Sequence, residues 1–309
     1  MVKSETFNEH FGIKSNATEY LNILMENDLE AFIDPYHIAN KLDNMIAKKM
    51  YIRSKSFLET LNRTFIIPND RKNGLNFLSH LGEANEYHLG YSHNNKGKGI
   101  GHTKAEIVFD SLRANKLVKA GITVTNEAHN VLLLVKGIGQ DNMSDTLANV
   151  CRDILAEFTF QQCLKFGIKV EETEIEYYEH SSKKWVSKKV KLPYYNGKHI
   201  ILVPQFLTSG QRIYTNHYNW FISSNFISKD ILDGSITISN NDDFINELKD
   251  GTKKAIIKNI NSHFRKPKHK LIEYVKSYSG SLIDFQDYVK SHYPSIDIDK
   301  LIQLYGKAS

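Results

Sequence analysis

Cysteine is nearly absent: only Cys151 and Cys163 occur in 309 residues. That excludes a disulfide scaffold and a cysteine-built zinc module. The two fall twelve apart on one expected helix, so they are not placed to pair. Long apolar runs are also missing. The longest clean one is Val131 to Val135, far short of the roughly 20 residues that a membrane span needs. The first residues, Met1 to Thr6, carry no apolar signal-peptide core. No internal repeat, heptad run or low-complexity linker stands out. These absences leave a cytoplasmic protein with no membrane partner as the expectation.

What is present suits an ordinary core. Hydrophobic residues make up 41% and charged residues 24% of the chain, so wholesale disorder is not expected. The charge is unevenly placed. Residues 251–309 hold 11 Lys and Arg against 5 Asp and Glu, a balance of +6, whereas the whole chain is +5. A near-neutral body with a basic tail is an electrostatic footprint for a polyanion, or else a solvated helix face.

Patterning predicts an α+β or mixed α/β chain: a central mixed sheet flanked by N-terminal and C-terminal helices. A soft boundary near residue 225 divides a mixed core domain, 1–225, from a basic helical region, 226–309. Strands are expected at Tyr87–Ser92, Ile122–Thr125, Val131–Val135, Glu174–Tyr178, Trp185–Leu192 and His199–Val203. Asn196-Gly197 reads as a tight turn. A helix is expected from Thr103-x-x-Glu106, a capping box, to Gly121. A longer one should start at Ser144 and end at Gly167.

The most constrained stretch is Lys136-Gly137-Ile138-Gly139-Gln140-Asp141-Asn142-Met143-Ser144-Asp145. Read as a buried strand running into a helix, it places Asp141 and Asp145 at a strand's carboxyl end. Two carboxylates there suit a hard divalent cation, Mg²⁺ or Mn²⁺, with water positions left open. The plainer alternative is that Asp141 serves the turn and Asp145 the helix dipole. Glu86 and His88 would share one strand face nearby, with Glu86 as a third acid. The glycine loop Lys96-Gly97-Lys98-Gly99-Ile100-Gly101 precedes a helix. Its amides at Gly99 and Gly101, with Lys96 and Lys98, could cradle a phosphate. It is neither a P-loop nor a full dinucleotide fingerprint. Lys98 or Lys136 would offset developing phosphate charge. His93 and His102 flank this loop, a weak zinc set. In the tail, Arg265, Lys266, Lys268 and Lys270 could neutralise phosphates of nucleic acid, DNA foremost.

Two stretches carry a resemblance. Gly137-Ile138-Gly139-Gln140-Asp141 with Ser144-Asp145, and Asn196-Gly197-Lys198 with Leu202-Val203-Pro204, resemble uncharacterised bacterial proteins of anti-phage and restriction gene islands. The resemblance implies defence against foreign DNA and nuclease activity, with other defence-system subunits as partners. A PD-(D/E)XK pattern is not complete here. Glu247-Leu248-Lys249 lies in an expected helical tail and Asp70-Arg71-Lys72 in a turn, so such a nuclease would carry a diverged acidic set. The expectation is therefore a metal-dependent nuclease or nuclease-like subunit. The alternatives are a non-catalytic nucleic-acid-binding adaptor and a nucleotide-responsive sensor using the glycine loop.

Overall fold

The computed structural model describes residues 5–14, 18–90, 102–237 and 243–296. It divides into two compact units. The first gathers Met1–Leu132, Gly137–Arg212 and Tyr293–Ser309, and the second Leu133–Lys136 and Ile213–His292.

Helices dominate, and every strand pair is antiparallel, which makes the chain α+β. Among the described residues the strands form four separate two-stranded sheets and do not join into one central sheet. The largest is the hairpin of Glu171–Glu179 and Lys184–Leu192. Its register sets Glu172 opposite Lys191, Glu174 opposite Lys189 and Glu179 opposite Lys184. Opposite charges facing across a ladder each add roughly 0.2–1 kcal/mol. The hairpin is anchored by aromatic side chains. Tyr178 and Trp185 meet Phe57 edge-on at 5.3 and 5.9 Å, and Phe57 stacks on Phe77 at 5.1 Å. Asn196 and Gly197 both have positive φ, 48° and 77°. That is the backbone a two-residue hairpin turn requires between Tyr194–Tyr195 and Lys198–His199.

The main core of the first unit joins distant parts of the chain. Phe7, Tyr20, Leu21 and Ile23 pack with Phe158, Ile200 and Leu202. The Ile200–Val203 stretch is buried and joins no named strand; its backbone bonds go to several separate segments. Ile201 N–H reaches Glu86 O at 2.9 Å, and Leu202 N–H reaches Thr159 Oγ1 at 2.8 Å. The second unit has its own core. Tyr218 meets Phe285 at 5.0 Å, and its hydroxyl pairs with Ser281 Oγ at 2.8 Å.

Several expected strands are helical. Val131–Val135 falls on the Ala128–Leu134 helix, Ile122–Thr125 runs into the 3₁₀ turn Thr123–Asn126, and Tyr87 ends the 3₁₀ turn Asn85–Tyr87. A five-residue apolar run fits a buried strand and a buried helix equally well. The helix begun near Thr103 ends at Ala114, because Asn115 caps a new helix through Leu117 and Val118 N–H. The tail is not continuously helical either. Ile245–Glu247 pairs with Lys253–Ala255, so Glu247 lies on a strand. Asp70 caps the Arg71–Leu78 helix through the Asn73 amide.

Gly74 sits inside that helix for want of space. A Cβ there would lie 2.5 Å from Cε2 of Phe109 and 3.1 Å from Cβ of Phe65. The Phe109 ring is buried and cannot swing clear. Gly74→Ala should therefore lower stability by about 1–2 kcal/mol despite alanine's better helix propensity. A urea midpoint equal to or above that of the parent would show that the ring gives way.

Candidate functional site: an acidic cleft in the first unit

The Gln140–Val150 helix starts four residues before Ser144, with Gly139 as its N-cap. Ser144 is therefore not a cap. It is buried inside the helix, where its Oγ accepts the Ile33 amide at 3.0 Å. Gln140, one turn earlier, donates to Ser209 Oγ at 3.0 Å and Gly210 O at 3.1 Å and accepts the Arg212 amide at 2.7 Å. These bonds fix the rotation of the helix. Asp141 and Asp145, four apart, then share the neighbouring stripe.

Both aspartates line one cleft of about 110 Å³, with Asp28, Glu83, Ala84, Asn85, Leu89 and Gly90. Three chain segments meet here, and each is pinned from behind. Leu29 N–H donates to His88 O at 2.8 Å, and Gly90 N–H donates to Leu29 O at 3.0 Å. The Asn149 side chain holds Gly82 O at 2.7 Å, and Tyr87 Oη donates to Ala148 O at 3.0 Å. Gly90 has φ +133°, and a Cβ there would lie 3.7 Å from Asp141 Oδ1, so this backbone runs beside the carboxylate.

Four of the eight lining residues are acids and none is basic. Glu83 Oε2 is buried and has no hydrogen-bond partner among the described residues. The donor set is oxygen only, which is the preference of hard divalent cations. Among the described residues, no group of three or more His, Cys, Asp or Glu side chains is placed to hold a metal ion. Mg²⁺ keeps several of its waters and needs only one or two protein carboxylates.

Glu86 does not line this cleft. Its carboxylate is ion-paired with Arg152 Nε at 2.8 Å. Glu86 sits inside the 3₁₀ turn Asn85–Tyr87, which His88 follows in the left-handed region, φ 52°, so a strand's two-residue period does not apply. His88 is a core histidine, 4% exposed. Lys136 is exposed, belongs to the second unit and is not among the lining residues. Lys96, Lys98, Gly99 and Gly101 lie outside the described residues, as does His93. Asp28 and Glu83 had no local signal. Both sit in irregular segments brought to Asp141 by contacts between distant parts of the chain, among them those of Leu29, Tyr87 and Asn149.

Cys151 lies where the Gln140–Val150 helix gives way to Arg152–Phe166. It is buried, and burial pushes its thiol up to about 12, which removes it as a nucleophile.

The second unit carries the basic residues of the tail, and they differ in availability. Arg265 and Lys270 are exposed. Lys266 Nζ donates to Glu273 at 2.7 Å and lies 5.3 Å from the Tyr274 ring centre. Lys268 is half-buried, and burial pulls its ammonium down to about 8. The positive balance is local as well. Residues 213–292 as a whole hold 11 Lys and Arg against 9 Asp and Glu.

No helix among the described residues is long and apolar enough to cross a membrane. No curated protein and no solved structure matches the chain. One family model, described as a domain of unknown function (DUF8370), matches residues 12–216, a stretch that holds all four acids of the cleft. The chain is a member of that family, the domain of unknown function DUF8370.

Proposed function

We propose that the first unit is a divalent-metal-dependent phosphodiesterase acting on nucleic acid, a nuclease or nuclease-like subunit. The observation that carries this reading is the meeting of Asp141 and Asp145 with Asp28 and Glu83 in one cleft. Asp141 and Asp145 would hold Mg²⁺ or Mn²⁺. A cation so held supplies a water of lowered pKa and a charge that steadies the phosphate oxygens. Asp28 and Glu83 would accept hydrogen bonds from cation-bound waters and orient them. Glu83, its buried oxygen without a partner, is the best placed to take a proton from water. The motif resemblance supports a role in defence against foreign nucleic acid, alongside other subunits.

A second reading is binding without cleavage. It is favoured by the lack of any basic side chain among the lining residues, which leaves a phosphate no partner there except the cation. Incubation with single- and double-stranded DNA and RNA separates the two. Cleavage in Mg²⁺ or Mn²⁺ that stops in EDTA supports the enzyme. Binding with intact substrate in every cation supports the adaptor.

A further inference from the structure

Trp220 is out of place for a core residue. The Tyr214–Ile222 helix buries Tyr214, Tyr218, Phe221 and Ile222, so one face already fills the core of the second unit. Its other face presents Asn216 and Trp220, one turn apart, with Ile213 at its start. Trp220 is 43% exposed and Ile213 56%. An exposed indole on a helix whose core face is already filled is unexpected for a purely structural residue.

The surroundings of this face carry positive charge. Arg265 Nη2 donates to Asn216 Oδ1 at 2.5 Å, so its guanidinium lies on the exposed face one turn from the indole. The loop carrying it is locked to the same helix. Lys266 N–H donates to Asn219 Oδ1 at 2.8 Å, and Asn219 Nδ2 returns a bond to Lys266 O at 3.0 Å. Lys270, exposed, follows in the next turn. An exposed indole with a guanidinium one turn away on the same helix face is a combination that suits single-stranded nucleic acid: a base stacks on the ring while the cation meets the phosphate.

We propose that Trp220 and Arg265 form a stacking site for an unpaired base of single-stranded nucleic acid. Charge selects the occupant, because a phosphate backbone complements Arg265 and Lys270 while an unpaired base offers a flat face to the indole. The site rests on the nucleic-acid reading above and is independent of the cleft, since it needs no cation.

The chain has two tryptophans, which makes the test direct. Trp185 donates its indole N–H to Phe77 O at 3.0 Å and is packed among Phe57, Phe77 and Tyr178. Oligothymidylate added in EDTA should quench the tryptophan emission of the parent and of Trp185→Phe, but not of Trp220→Phe. Affinity for the oligonucleotide should fall about tenfold in Trp220→Ala. In Arg265→Gln the log–log salt slope should shrink by about 0.7, the single-strand value for one lost phosphate contact. A duplex of the same length should leave the emission unchanged. Equal quenching of Trp220→Phe and the parent, equal quenching by the duplex, or no quenching by any nucleic acid at low salt would each overturn the proposal. The last result, with a protein captured in its place, would make this face a protein-docking surface. Asp141→Asn should quench like the parent, which separates failure here from failure of the cleft.

Discussion

Asp141→Asn should melt at a higher temperature than the parent in EDTA and lose the stabilisation that Mg²⁺ or Mn²⁺ gives the parent. Asp141 shares the cleft with Asp28, Glu83 and Asp145, and none of the eight lining residues is basic. Removing one of four crowded charges relieves repulsion of about 1–2 kcal/mol. For a unit of this size that is roughly 2–8 °C. The cation acts on the same quantity in the parent, because an ion bound only by the folded state stabilises it by mass action. With one ligand neutralised, affinity should drop about 10–100-fold or more, and any cation-dependent cleavage should fall with it. Thermal melts of both proteins across a cation titration are sufficient. Parallel responses would remove Asp141 from the site. A lower melting temperature in EDTA would show that its carboxylate is a structural acceptor.

Acid should unfold the first unit well above the pH at which carboxylates titrate. His88 is 4% and His129 3% exposed. Burial pulls each imidazole down to about 4. Lys198 adds to this at His88 and Lys55 at His129, while the Leu24 backbone and Glu26, and Glu127 and Asp34, oppose it. The unfolded chain takes up these protons first, near pH 6.5. The histidines therefore leave stability intact above about pH 6.5, lower it as pH falls toward 4, and change it no further below that. At pH 5 each costs roughly 2 kcal/mol, about 4 kcal/mol for the pair. Urea midpoints at pH 7 and pH 5 should differ accordingly, and His129→Gln should reduce the difference by about half. A midpoint independent of pH over this range would mean that both rings stay neutral in the unfolded chain or are already charged in the folded one.

Features with local causes were legible in the sequence. Alternating residues mark the hairpin of Glu171–Glu179 and Lys184–Leu192, and Asn196-Gly197 marks the turn of the short Tyr194–Tyr195 and Lys198–His199 pair, because both signals reside in neighbouring residues. Gly167 ends its helix at φ 68° for the same reason. The stretch around Asp141 and Asp145 has the pattern of a strand end, whereas the pair lies on one helix, and four-residue spacing puts them on one face there. Glu86 was chosen by a strand's period that a 3₁₀ turn does not obey, and Arg152 holds it. Asp28 and Glu83 reach the cleft through bonds between distant segments, Leu29 to His88 and Asn149 to Gly82. No pattern within either segment carries that information. Composition also overstated the tail. Its charge count took Lys266 and Lys268 at full weight, but one is paired with Glu273 and the other is half-buried.

The most direct test of the acidic cleft is a calorimetric titration of Mn²⁺ into the metal-stripped protein and into the Asp141→Asn, Asp145→Asn double variant. One Mn²⁺ per chain should bind the parent and none the variant, with the variant's cooperative melt retained. Equal binding by both proteins, or no binding to the parent at millimolar Mn²⁺, would contradict a cation site at Asp141 and Asp145.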